Sequence, residues 1–238
     1  MGWNRYFGLK LGTPVPSYMK PILTLLHKEF ILELRRKSVL AGLSLYLFSL
    51  IFICYLTFSL RQNAISETTW AALFWLVILF SEVNSVAKSF IGERKGVFIY
   101  LYSVASPQHI ILSKMIYNSL LGLLISGLGY LLFSIFIFNP VKDQLLFALL
   151  LLLTSTGFSV SLSLISGIAS KANNSNVLMA VLSFPVVIAI LLMAVRTTGN
   201  VLNGLERSTS SDELLNLLAI NCIAGALAYI LFPYIWRS

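Results

Sequence analysis

The run FSEVNSVAKSF, residues 80–90, places Glu82, Asn84 and Lys88 inside a long apolar segment. A charged group at the centre of a membrane helix costs roughly 2.5–3.5 kcal/mol on insertion scales, so such residues are where chemistry is sought first. On a helix Glu82 shares a face with Ser85 and Ser89. Lys88, six residues on, points elsewhere and can snorkel to the nearer surface. Glu82 and Asn84 are therefore the candidates for an intramembrane polar path or a subunit contact. The same spacing also fits a Glu82 that approaches interfacial water. A second run, TSTGFSVSLSLISG over 154–167, is rich in hydroxyls. Its small residues at i,i+4, Gly157/Ser161 and Ser163/Gly167, fit close helix approach, with a hydroxyl-lined substrate surface as the alternative.

A third run, GERKGVFIYLYSVASPQHIILSK over 92–114, has a different character. Three charges, Glu93, Arg94 and Lys95, are followed by two helical turns of aromatic and aliphatic residues. Wound as a helix over 96–105, it shows Phe98, Leu101, Tyr102 and Ala105 on one face, with Val97, Tyr100 and Val104 beside them. Ser106 is placed to cap the next helix, and Pro107 suits a first helical position, where its missing N–H costs nothing. A short helix apolar around most of its girth needs cover on several sides. Lipid supplies one side, and a soluble protein fits the other.

Other chemistry has little to work with. The sequence contains no H-E-x-x-H, no G-x-S-x-G and no glycine-rich phosphate loop, so it names no catalytic residue and no metal site. His27 and His109, the only histidines, read as interfacial surface residues. Cys54 and Cys222 fall within apolar runs and read as reduced packing residues.

These residues must be held by membrane helices. Hydrophobic residues make up 58% of the chain and charged ones only 11%, against roughly 25% in soluble domains; the mean hydropathy is +0.86. Six segments reach spanning length: 39–60, 70–91, 110–138, 144–168, 177–195 and 214–236. Their continuous apolar character predicts an all-α polytopic protein rather than a β-barrel. Of the Lys and Arg residues, Arg61, Lys142, Arg196 and Arg207 fall on one side and the rest on the other, a bias that predicts both termini in the cytoplasm. The net charge of +8 reads as this topology signal and as attraction to anionic headgroups, with no nucleic acid partner implied. Residues 1–20 read as a poorly ordered cytoplasmic tail without a cleavable signal, and 21–238 as one membrane domain. PILTLLHKEFILELRRKS predicts an interfacial helix over 21–37, with Ile22, Leu23, Leu26, Phe30 and Leu34 on one side. The polar stretch 196–213 is an external loop whose shape the sequence leaves open.

The order of elements resembles the permease subunit of a type-2 ABC transporter. FIGERKGVFIYLYSVASPQHIILSK is similar to the signature region of the CcmB family, the haem exporter permeases of cytochrome c maturation, at Phe90, Glu93, Gly96, Leu101, Pro107 and Lys114. SGIASKANNSNVLMAVLSFPVVIAILLMA resembles the family's fourth-to-fifth span region at Gly167, Leu182 and Pro185. The likeness runs from about Pro21 onward. It departs where the family often has an acidic residue shortly after the glycine and this chain has Ile99 and Tyr100. The resemblance implies a non-catalytic membrane subunit of the bacterial inner membrane, paired with a second copy of itself and with a separate ABC ATPase. It also implies a haem-handling membrane subunit and a haem chaperone as partners, with haem as cargo and no firmly bound cofactor. The 96–105 helix becomes a coupling helix, with Glu93, Arg94, Gly96, Phe98, Leu101, Tyr102 and Pro107 as the contact set for the ATPase. Two other readings stand beside it: a permease for another lipid-like or drug-like cargo, and a non-transporting scaffold of an assembly complex.

Overall fold

The structure is a computed structural model describing residues 19–35, 37–61, 66–91, 106–170 and 175–237. Among these are seven α-helices: α1 (Met19–Arg35), α2 (Lys37–Arg61), α3 (Glu67–Ile91), α4 (Pro107–Phe136), α5 (Gln144–Ala169), α6 (Ser175–Asn203) and α7 (Ser211–Arg237). A short 3₁₀ turn, Arg207–Ser210, leads into α7. The six helices after α1 are each long and apolar enough to cross a membrane. In a bilayer core no water can satisfy free backbone groups, so continuous helices are what such runs must form.

The spanning helices gather around α5, which packs against α3, α4, α6 and α7. More than half of the α5 and α3 spans is buried inside the chain, whereas α2 and α7 keep most of theirs exposed for lipid. Small residues explain the central place of α5. Ser155, Gly157, Ser159, Ser161, Ser163 and Gly167 are all buried, and they let neighbouring backbones come close. Beside α5, between α6 and α7, lies an apolar recess of about 370 Å³ lined in part by Pro185, Leu164 and Ala224.

The end of the bundle away from α1 is knit by aromatic packing and polar ties. Trp70, Phe74, Phe133 and Phe147 form a cluster with ring centroids 5.3–6.2 Å apart, and Trp75 Nε1 donates to Thr198 Oγ1 at 2.8 Å. Asp143 caps α5 by accepting from the backbone N–H groups of Leu145 and Leu146, and its other contacts are with the Arg207 guanidinium at 2.6 and 3.1 Å. The Arg207 hydrogen bond holds the Asp143 carboxyl below its usual range. The stretch expected to be a polar external loop is largely ordered: α6 continues to Asn203, and Gly204, at φ +71°, makes the turn that ends it. Gly tolerates that left-handed conformation without a Cβ clash.

At the opposite end, α1 packs chiefly against α4 and also touches α2. Leu25 enters a small core with Ile110, Ile111, Met115, Leu164 and Phe232. Leu23, Ile31 and Leu32 stay exposed, as an interfacial helix resting on acyl chains requires. One expectation is corrected here. Ser106 takes the extended N-cap conformation with Pro107 opening α4, but its hydroxyl makes no cap hydrogen bond. It pairs instead with His109 Nδ1 at 2.8 Å, which offers a side-chain partner within the same first turn.

Candidate functional site

Glu82 sits about two and a half turns before the end of α3 and is wholly buried. Its carboxyl reaches across to α5, where Ser155 Oγ donates to Oε1 at 2.7 Å and Ser159 Oγ lies 3.1 Å from Oε2. Both serines are four apart on one face of α5, so a single carboxylate group spans the two successive turns. Ser159 Oγ also lies 3.0 Å from the carbonyl oxygen of Asn118 on α4. Asn118 Nδ2 in turn donates to Ser163 Oγ at 2.8 Å, and Ser163 Oγ donates to the Ser159 carbonyl at 2.6 Å. Three spanning helices are thus joined by one buried polar ladder.

Gly122 on α4 makes the room. A Cβ built there would collide with Ser159 Oγ and would come within 3.0 Å of Ser155 Oγ and 3.1 Å of the Glu82 carboxyl carbon. The ladder exists because this one position on α4 carries no side chain.

One turn before Asn118, Lys114 is buried on the same face of α4. Its ammonium approaches Glu29 of α1 at 3.5 Å, and Lys28 reaches the same oxygen at 2.9 Å. Burial opposes ionisation of Glu29, but the charge of Lys114 and then that of Lys28 outweigh it and hold the carboxyl below its ordinary value. Phe30 stacks edge-on against Tyr117, with ring centroids 5.3 Å apart. Helix α1 is therefore fastened to the α4 span by an ion pair and an aromatic contact.

The model of the family described as CcmB protein matches residues 20–233. The chain belongs to the CcmB family. A comparison with curated proteins finds no match. As a CcmB family member it is a multi-pass membrane protein, a permease component of an ABC transporter in cytochrome c biogenesis.

Of the residues singled out from the CcmB-like signature, Glu93, Arg94, Gly96, Phe98, Leu101 and Tyr102 lie outside the described residues. Pro107 is the first residue of α4, seven positions before Lys114. Glu82 and Asn84 are not brought together: Glu82 faces α5, while Asn84, two residues on, is exposed on another side of α3. Glu82 is buried, and its hydrogen-bond partners are the Ser155 and Ser159 hydroxyls of α5. His27 is exposed, and His109 is engaged with Ser106. Cys54 and Cys222 are free thiols.

Sequence reasoning did not single out Gly122, Asn118 or Glu29, and it read Lys114 only as part of the charge bias and of the family pattern. A signal was present: Lys114, Asn118 and Gly122 recur at steps of four, which puts them on one helical stripe. Pairing that stripe with Glu82 requires knowing that α3, α4 and α5 meet.

Proposed function

We propose that this chain is the non-catalytic membrane subunit that couples ATP hydrolysis on a separate ATPase chain to haem delivery, or to release of a haem chaperone, across the membrane. The observation that carries the reading is the match to the CcmB family over residues 20–233. The chain acts as a pair with a second copy, alongside a haem-handling membrane subunit, in the bacterial inner membrane. Haem is its cargo rather than a resident cofactor. Both termini face the cytoplasm, as the distribution of Lys and Arg supports.

In this reading the segment 96–105 is the coupling helix, seated on the ATPase through Gly96, Phe98, Leu101 and Tyr102, with Glu93, Arg94 and Pro107 at its ends. Two features of the helices support it. The segment joins α3 to α4, the two helices that meet α5 at the Glu82 ladder. The start of α4 is also held to α1 through Lys114 and Glu29. A displacement applied to the segment would therefore act on a cross-braced block rather than on two independent rods.

The test places a cysteine at Phe98 or Tyr102 and crosslinks to the ATPase in native membranes with and without ATP. A nucleotide-sensitive crosslink, lost along with ATPase association in Gly96→Pro or Phe98→Asp, is the expected result. Labelling by lipid-phase probes alone, with normal ATPase recovery in both variants, would remove the coupling assignment and leave a membrane scaffold.

A further inference from the structure

We propose that Glu82 is a proton-binding site: it is held as a neutral carboxylic acid and acts as a hydrogen-bond donor at the junction of α3, α4 and α5. The argument is a count of protons. Ser159 Oγ lies within hydrogen-bond distance of two oxygens, Glu82 Oε2 at 3.1 Å and the Asn118 carbonyl at 3.0 Å. A serine hydroxyl has one proton to give and lone pairs to receive. The Asn118 carbonyl can only accept, so for both contacts to be hydrogen bonds at once Ser159 gives its single proton to that carbonyl. The contact between Ser159 Oγ and Glu82 Oε2 is then a hydrogen bond only if Glu82 supplies the proton.

With that proton in place the remaining bonds agree. Glu82 Oε2–H donates to Ser159 Oγ, and Glu82 Oε1, now the carbonyl oxygen, accepts from Ser155 Oγ at 2.7 Å. Without it, Glu82 Oε2 and the Asn118 carbonyl are two acceptors for the single Ser159 proton. The electrostatic setting points the same way. Among the described residues Glu82 has no ionic partner: Lys114, on the same stripe of α4, is drawn toward Glu29, and α5 offers Glu82 only hydroxyls. Arg196 on α6 is exposed. A carboxylate buried with no cation beside it is expensive, and a neutral acid is not. The site stands apart from the coupling assignment of 96–105 and can hold or fail without it.

Infrared difference spectroscopy on the full chain in lipid vesicles at neutral pH tests this. Wild type minus Glu82→Gln should show the loss of one carboxylic acid C=O band that moves down in D₂O. Ser155→Ala, which removes the donor to Oε1, should shift the same band up. Gln offers an N–H₂ donor and a carbonyl in place of the acid's O–H and carbonyl, so Glu82→Gln should keep the wild-type thermal midpoint while Glu82→Ala lowers it. Carboxylate bands lost in the Glu82→Gln difference, in place of a carboxylic acid band, would overturn the proposal. Should Glu82→Gln fail to fold, the Ser155→Ala difference decides alone: no shifted carboxylic acid band there refutes it.

Discussion

Replacing Gly122 by alanine puts the polar ladder under direct test. The added methyl would overlap Ser159 Oγ and press on Ser155 Oγ and the Glu82 carboxyl. Overpacking of a tight interior costs about 1–3 kcal/mol. Relief requires Ser159 to swing off Glu82, which leaves a buried polar atom without its partner at about 1–3 kcal/mol. Alanine returns about 1 kcal/mol through its higher helix propensity. The net expectation is a loss of about 3 kcal/mol. Gly127, on the same helix, is the control, because nothing lies within 4 Å of a Cβ built there. Gly127→Ala should be neutral or stabilising by about 1 kcal/mol. Equilibrium unfolding of both variants in the same detergent, read by circular dichroism, measures the gap. Equal stabilities for the two variants would mean that α4 and α5 do not approach as described, and the ladder would fall with that contact.

The Glu29–Lys114 pair should behave as a partly buried ion pair. Glu29→Gln removes compensation from a buried ammonium and should cost about 3 kcal/mol, and adding Lys114→Met should recover part of it; additive losses in that double-mutant cycle would refute direct coupling. Because the Glu29 carboxyl is held below its ordinary value, its contribution is complete above the ordinary carboxylate range and lost as pH falls through the depressed value. Thermal midpoints should therefore drop on acidification in wild type more than in Glu29→Gln. At the other end of the bundle, Asp143→Asn keeps a cap acceptor for Leu145 and Leu146 but loses the charge that pairs with Arg207. That pair is exposed, so Arg207→Gln should lower the thermal midpoint at low salt and matter less at high salt. An effect that persists unchanged in high salt would point to packing rather than charge.

The membrane class, the six spans and the leading helix α1 follow from local pattern. Apolar run length and the distribution of basic residues are one-dimensional quantities, and a bilayer leaves few structures that satisfy them. The ends of α6 and α7 were less legible, because Arg196, Thr197 and Thr198 look like a polar loop until Thr198 is seen accepting from Trp75 in the interior. The Ser106 cap misled for a similar reason: a serine hydroxyl has several partners in reach, and His109 took it.

The site divides along the same line. That Glu82 is an unusual residue in an apolar run could be read from the sequence alone, since the cost of burying a charge depends only on depth and type. That its partners are Ser155 and Ser159, that Gly122 clears the space, and that Lys114 turns to Glu29 rather than to Glu82 were decided by the packing of α1, α3, α4 and α5. Hydrogen bonds act over about 3 Å, and only the tertiary structure brings residues 73 and 77 positions apart to that distance.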